Sequence, residues 1–135
     1  MEETANVDIR DQLGAWVRAY IQAWNSNDAA DIRALFTPDA RYLTEPHARP
    51  WSGHEEIVRE WLERKDAPDD HTFRWEILAT DGDLGFVRGW TTYTQHDPPR
   101  EYGNLWVVRL AEDGRAREYT EWWVLVRRDS PPFPA

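Results

Sequence analysis

At His71 the spacing of apolar residues changes from three and four to two, and it does not change back. Before that point Ile9, Leu13, Trp16, Val17, Tyr20 and Trp24 form one broad helical stripe, with Arg10, Asp11 and Arg18 on other faces. Asn25-Ser26-Asn27-Asp28 ends this helix and caps a second, whose buried side is Ile32, Leu35 and Phe36. Thr37-Pro38-Asp39 reads as its stop, with Asp39 closing the turn, and residues 40–44 read as a short strand. A loop carrying Pro46 and Pro50 follows. Ser52 with Glu55 then fits a capping box for a third helix bearing Ile57, Val58, Trp61 and Leu62.

Residues 65–70 read as a polar linker into the second half. There Phe73, Trp75, Ile77 and Ala79 alternate with Arg74, Glu76 and Leu78, which is strand spacing. Asp81-Gly82 and Asp113-Gly114 mark tight turns, and Pro98-Pro99 marks a loop. These breaks bound strands over about residues 84–95, 101–110 and 115–127. The order predicts an α+β fold: three N-terminal helices packed on one face of a strongly curved antiparallel sheet, a cone with an internal pocket. Residues 1–128 read as a single domain and 129–135, with three prolines, as a tail.

Several function classes are disfavoured. A net charge of −9, from 25 acidic against 16 basic residues, leaves no basic patch for phosphates, so neither nucleic acid nor an anionic membrane surface is expected as a partner. The chain has no cysteine, which removes disulfides, thiolate nucleophiles and Cys-based zinc sites together. His47, His54, His71 and His96 lack HxH or HExxH spacing, so no metal and no cofactor is expected. No apolar run approaches the ~20 residues of a membrane helix. The start Met1-Glu2-Glu3-Thr4 lacks the basic-then-apolar order of a secretory leader, giving the expectation of a cytoplasmic protein.

Four pieces in order carry a resemblance. They are Tyr20-Ile21-Gln22-Ala23-Trp24 followed by Asn27-Asp28, Leu35-Phe36-Thr37-Pro38-Asp39-Ala40, Trp51-Ser52-Gly53-His54-Glu55-Glu56-Ile57, and Asp113-Gly114-Arg115. Together they resemble the nuclear transport factor 2-like superfamily, particularly its SnoaL-like and ketosteroid-isomerase-like members. The resemblance implies the cone fold over nearly the whole chain. It leaves function open, because the superfamily contains isomerases, cyclases, dehydratases, epoxide hydrolases and non-catalytic domains. Against the ketosteroid isomerase pattern of a base and two oxyanion donors, it places Tyr20 at the oxyanion tyrosine. Thr44 falls at the base, with Glu45 adjacent and followed by Pro46, and Trp106 falls at the second donor. Authentic ketosteroid isomerase activity is therefore not expected.

Strand alternation sorts the remaining candidates. With Trp106 facing the cavity, Tyr102, Asn104, Val108 and Leu110 share its face. The resemblance turns Tyr119, Glu121 and Trp123 inward on the last strand, and the inward set of the second strand is Val87, Gly89, Thr91 and Tyr93. Small residues at 85 and 89 would leave volume for a ligand. Glu121 among aromatic side chains is either a general acid or base or a structural carboxylate bonded to Tyr20, to an indole N–H or to an arginine. Tyr20 is either a donor to a ligand oxygen or a core tyrosine. Glu45 is either a base or a solvated loop residue. His71 is the best histidine for acid–base work at the cavity mouth, or a strand-end histidine.

Trp16, Trp24, Tyr42, Thr44, Trp61, Thr91, Tyr93, Asn104, Trp106, Tyr119 and Trp123 complete the expected ligand-binding set, with about half of the aromatic ones serving the core. Trp51 would cover the entrance. Phe86, Arg88, Trp90 and Trp122 would lie on the outer sheet face, which a homodimer would cover. The expected function is binding of a small apolar ring-containing metabolite, with or without cofactor-independent proton transfer of isomerase, cyclase or dehydratase type. The alternatives are a non-catalytic ligand-binding or assembly domain, and a stress-associated protein whose tryptophans fill the cavity.

Overall fold

Asp8 opens the first helix by accepting the Arg10 N–H at 2.9 Å, and Asn27 closes it from the left-handed region at φ 50°. Between them α1 (Ile9–Ser26) buries Leu13, Trp16, Val17 and Tyr20 of the stripe anticipated from spacing, with Ala23 beside them, while Ile9 and Trp24 at its ends are partly buried. Asp28 caps α2 (Ala29–Leu35) through the N–H groups of Ala30 and Asp31. The structure is a computed structural model, and it describes residues 8–67 and 70–127. The expected Pro-rich tail at 129–135 lies outside them, as do residues 1–7.

No turn separates α2 from the sheet. β1 (Phe36–Leu43) starts on the next residue and runs through the expected stop, with the Thr37 hydroxyl on Asp39 Oδ1 at 3.1 Å. An irregularity in pairing between Phe36 and Arg41 absorbs Pro38, which has no N–H for a ladder. β2 (Trp51–Ser52) is a two-residue strand against β1, followed by α3 (Gly53–Glu63). The capping box is also displaced. Ser52 makes no side-chain cap, and Glu56 rather than Glu55 reaches back to the Ser52 N–H, at 2.7 Å.

β3 (His71–Asp81), β4 (Leu84–Tyr93), β5 (Arg100–Leu110) and β6 (Ala116–Leu125) form an antiparallel meander. Gly82 at φ 62° and Gly114 at φ 87° make the two tight turns. The six-stranded sheet has the order β2-β1-β6-β5-β4-β3, and the β1–β6 pair is parallel. The fold is thus three helices on a mostly antiparallel, open sheet. Leu13, Trp16, Val17, Ile32, Leu35 and Phe36 fill the space where α1 and α2 meet Val87, Trp106, Val108 and Tyr119.

The glycines on β4 correct one expectation. A Cβ on Gly85 would lie 2.4 Å from a Leu13 methyl, and one on Gly89 would lie 2.4 Å from the Phe73 ring. The space left by these residues is therefore occupied by the protein's own side chains. It lets α1 settle onto the sheet and lets Phe73 stack on Trp106 at 4.9 Å.

Candidate functional site

Register brings the polar residues of the cavity together. Glu121 lies directly opposite Trp106, Asn104 opposite Gly89 and Trp123, and Thr91 opposite Tyr102. Alternation then sends Thr91, Asn104, Trp106 and Glu121 to the concave face. Asn104 Nδ2 donates to Glu121 Oε2 at 2.6 Å, Trp106 Nε1 donates to the same oxygen at 3.4 Å, and the Tyr119 hydroxyl donates to Oε1 at 3.4 Å. The Thr91 hydroxyl donates to Asn104 Oδ1 at 2.7 Å, which turns the amide so that its NH2 faces the carboxylate. Every donor to Glu121 is neutral, and no ion pair reaches it among the described residues.

The helices supply the facing wall. The Tyr20 and Tyr42 hydroxyls share a hydrogen bond of 2.7 Å, and Tyr42 stacks on Trp51 at 4.7 Å. Two polar residues pin the indoles: Asp66 Oδ2 accepts from Trp24 Nε1 at 2.8 Å, and Asn27 Oδ1 accepts from Trp61 Nε1 at 3.0 Å. Asn27 Nδ2 also donates to the Asp66 carbonyl at 3.0 Å, so the end of α1 and the segment after α3 are tied together. Tyr93 donates its hydroxyl to Asp66 from the sheet, at 3.3 Å. A cavity of about 460 Å³ remains between these walls, within the range of small-molecule sites.

Electrostatics follow from burial. Loss of hydration pushes the Glu121 carboxyl up to about 7, with the Asn104, Trp106 and Tyr119 donors opposing part of that rise. The Tyr20, Tyr42 and Tyr119 hydroxyls are held well above the usual phenol range, first by burial and then by neighbours that include the Glu121 charge. They remain neutral donors wherever Glu121 titrates.

The model of the SnoaL-like domain family matches residues 17–119. The chain belongs to that family. Among solved structures, this SnoaL-like domain is similar to a ketosteroid isomerase-like protein from Erwinia carotovora atroseptica SCRI1043, at 21% identity and TM-score 0.63 over 87% of this chain and 97% of that one. It is also similar to an NTF-2 like protein of unknown function from Burkholderia xenovorans LB400, at 16% identity and TM-score 0.64 over 93% and 88%. At these identities the likeness establishes the nuclear transport factor 2-like fold alone. No curated protein matches the chain.

Of the expected site residues, the SnoaL-like cavity gathers Tyr20, Trp24, Tyr42, Trp61, Thr91, Tyr93, Asn104, Trp106, Glu121 and Trp123. Trp123 stands at the mouth and is 49% exposed. Trp16 is not at the cavity: its ring packs edge-on to Phe36 and Trp106 and its Nε1 donates to the Leu35 carbonyl at 2.8 Å, which makes it core. Tyr119 is fully buried beneath Glu121. Thr44 and Glu45 fall in the turn after β1 and line nothing; Glu45 is exposed, with its carbonyl accepting the Ala48 N–H. His71 is buried behind the wall, stacked on Trp24 at 3.8 Å. The Trp106 indole, expected to face a ligand oxygen, is directed to Glu121 instead.

Sequence reasoning missed the mouth of this SnoaL-like domain. Arg64, Lys65, Asp66, Asp70, His96 and Arg100 line it. All lie in segments read as helix end, linker or loop, where hydrophobic periodicity carries no signal. Among the described residues no group of His, Asp or Glu is gathered as a metal ion requires, and no helix is long and apolar enough to cross a membrane.

Proposed function

We propose that this SnoaL-like domain binds a small, apolar, ring-containing molecule and moves a proton on it without a cofactor, with Glu121 as the base. One observation carries the reading: a carboxylate on the floor of an aromatic-walled cavity is held by three neutral donors and by no cation. A cation would have spent its basicity. Poorly hydrated and unneutralised, the carboxylate gains by accepting a proton. Asn104, Trp106 and Tyr119 hold it in one orientation, so it meets a bound C–H without prior rearrangement. The Tyr20–Tyr42 hydroxyl pair is the donor for an oxygen that gains charge as the proton leaves. The base lies on the sheet, not at Thr44 or Glu45, so the steroid-isomerase arrangement is not carried over. The structural neighbour named ketosteroid isomerase-like is similar in fold alone and does not bear on the reaction.

A suitable probe is 5-nitrobenzisoxazole. When a base takes the carbon-bound proton of its isoxazole ring, the C–H electrons form the nitrile, the N–O bond breaks and the oxygen leaves as a coloured phenolate. Glu121→Gln is expected to lower kcat/KM by a factor of about 10² or more. In the wild type kcat/KM should rise with pH through about 7, as the carboxyl ionises. A Gln variant that binds the probe and turns it over at the wild-type rate would remove Glu121 from the chemistry and leave a binding domain.

The same domain pairs with a second copy through the outer sheet face. Arg74 and Arg88 lie over the Trp90 ring at 4.1 and 5.2 Å and cover the β3–β4 end of that face. Trp122, Val124 and Val126 on β6 and beyond it stay 40%, 69% and 40% exposed. Such a strip supports an interface there.

A further inference from the structure

The floor of the cavity holds Glu121 among neutral donors, but the mouth presents cations. Arg64, Lys65 and Arg100 line the opening with His96, and all four are exposed. They come from the end of α3, the segment after it, the connection from β4 into β5 and the first residue of β5, so the fold and not one run of sequence assembles them. Two acids share the opening. Asp66 accepts at Oδ2 from the neutral Trp24 and Tyr93 donors, Asp70 has its Oδ1 buried with no hydrogen-bond partner, and neither acid forms an ion pair with Lys65 or Arg100. Arg64 pairs with Glu60 while its guanidinium lies 5.3 Å over the Trp51 ring. Lys65 and Arg100 have no ion pair among the described residues; the same is true of Arg10, Arg18, Arg33, Arg74 and Arg127, but of these only Lys65 and Arg100 line the cavity. In a chain of net charge −9, two cations without an ion pair at the entrance of an aromatic-walled cavity mark a place for an anion.

We infer that the ligand is a ring-containing organic acid, its ring between the aromatic walls and its anionic group at the mouth between Lys65 and Arg100. The inference rests on the small-molecule reading above and deepens it by naming the ligand class. Like-charge repulsion sets the orientation: a carboxylate at the mouth is kept away from Glu121 on the floor, and the opposite end of the molecule is delivered to the base. The anchor and the reacting end therefore occupy opposite ends of one cavity.

Titration calorimetry with 2-naphthaleneacetate and its neutral amide, 2-naphthaleneacetamide, tests this directly. At low ionic strength the acid should bind about tenfold more tightly than the amide, and added salt should erode the difference. In the Lys65→Gln, Arg100→Gln double variant the acid should weaken to the level of the amide, with amide binding unchanged. Both positions are exposed, so the fold is not at risk. Equal binding of acid and amide to the wild type, or a preference that survives in the double variant, would overturn the inference and leave the cavity reading standing. If neither compound binds, the cavity reading fails and the inference with it.

Discussion

A carboxyl that gives up its hydration to sit among indoles and phenols holds its proton longer than one in water, and that has a cost in stability. For Glu121 the pKa rises from 4.5 to about 7, with burial as the first cause. The folded state thus binds the proton more tightly than the unfolded chain, and stability is lost as pH rises from the unfolded value through the folded one. Below about pH 4.5 both states are protonated and the protein loses nothing. Above about pH 7 the folded state must carry a desolvated charge. The cost is of order 3 kcal/mol, since each tenfold change in proton affinity is worth about 1.36 kcal/mol. Glu121→Gln has no such proton. Urea unfolding of both proteins from about pH 4 to about pH 9 should show the wild type falling relative to the variant across that window. A flat difference would mean that Glu121 is hydrated. This residue was reached through the resemblance, which turns Tyr119, Glu121 and Trp123 inward on the last strand; alternation from Trp106 sorts only its own strand. The place of Trp16 was not legible, since a helical stripe says that a side chain is buried without saying whether it borders a cavity or fills the core.

The broad apolar face of α1 packs on the sheet, and one small gap decides how closely. α1 approaches β4 where Gly85 admits Leu13, and that approach sets how deep the helix sits and how wide the cavity stays. Gly85→Ala would place a methyl 2.4 Å from a fully buried Leu13 side chain, so leucine or helix must move. Overpacking of this kind costs about 1–3 kcal/mol. The midpoint of urea denaturation should fall accordingly with the slope unchanged, and an unchanged midpoint would show that α1 is seated elsewhere. The elements themselves could be read early, because the change of period at His71 and the Asp-Gly turns are local signals. The parallel β1–β6 pair could not. It joins segments about 80 residues apart with no turn between them, and β2 is too short to show a period. Asp66 escaped for a related reason: it lies in a polar stretch that looks like a linker, yet its carboxylate holds Trp24 and Tyr93 from opposite sides of the cavity.

At the scale of the molecule the two faces of the sheet pose different problems. The concave face is covered by helices, with the cavity between them and the sheet. Among the described residues the convex face has no helix over it, and its apolar groups are managed unevenly. Near β3 and β4, guanidinium groups lie over Trp90, and the Arg88–Glu76 ion pair at 2.6 Å holds one of them in place. Along the second half of β6 no such cover exists among the described residues, and Val124 is 69% exposed beside Trp122 at 40%. Two copies related by a two-fold axis would lay these strips against each other, and a stable pairing of that kind buries about 1,600 Å² in total. Sedimentation equilibrium at micromolar concentration should give twice the chain mass of 16.0 kDa. The Trp122→Asp, Val124→Asp double variant should sediment as a monomer, because each dimer would bring four carboxylates into one apolar contact. Both side chains point away from the cavity, opposite in alternation to Glu121 and Trp123, so binding of the naphthalene compounds should persist in the variant. A wild type that sediments at the single-chain mass would exclude the pairing. A variant that stays dimeric would move the interface to another face, and a variant that loses binding would mean that the partner helps to shape the mouth.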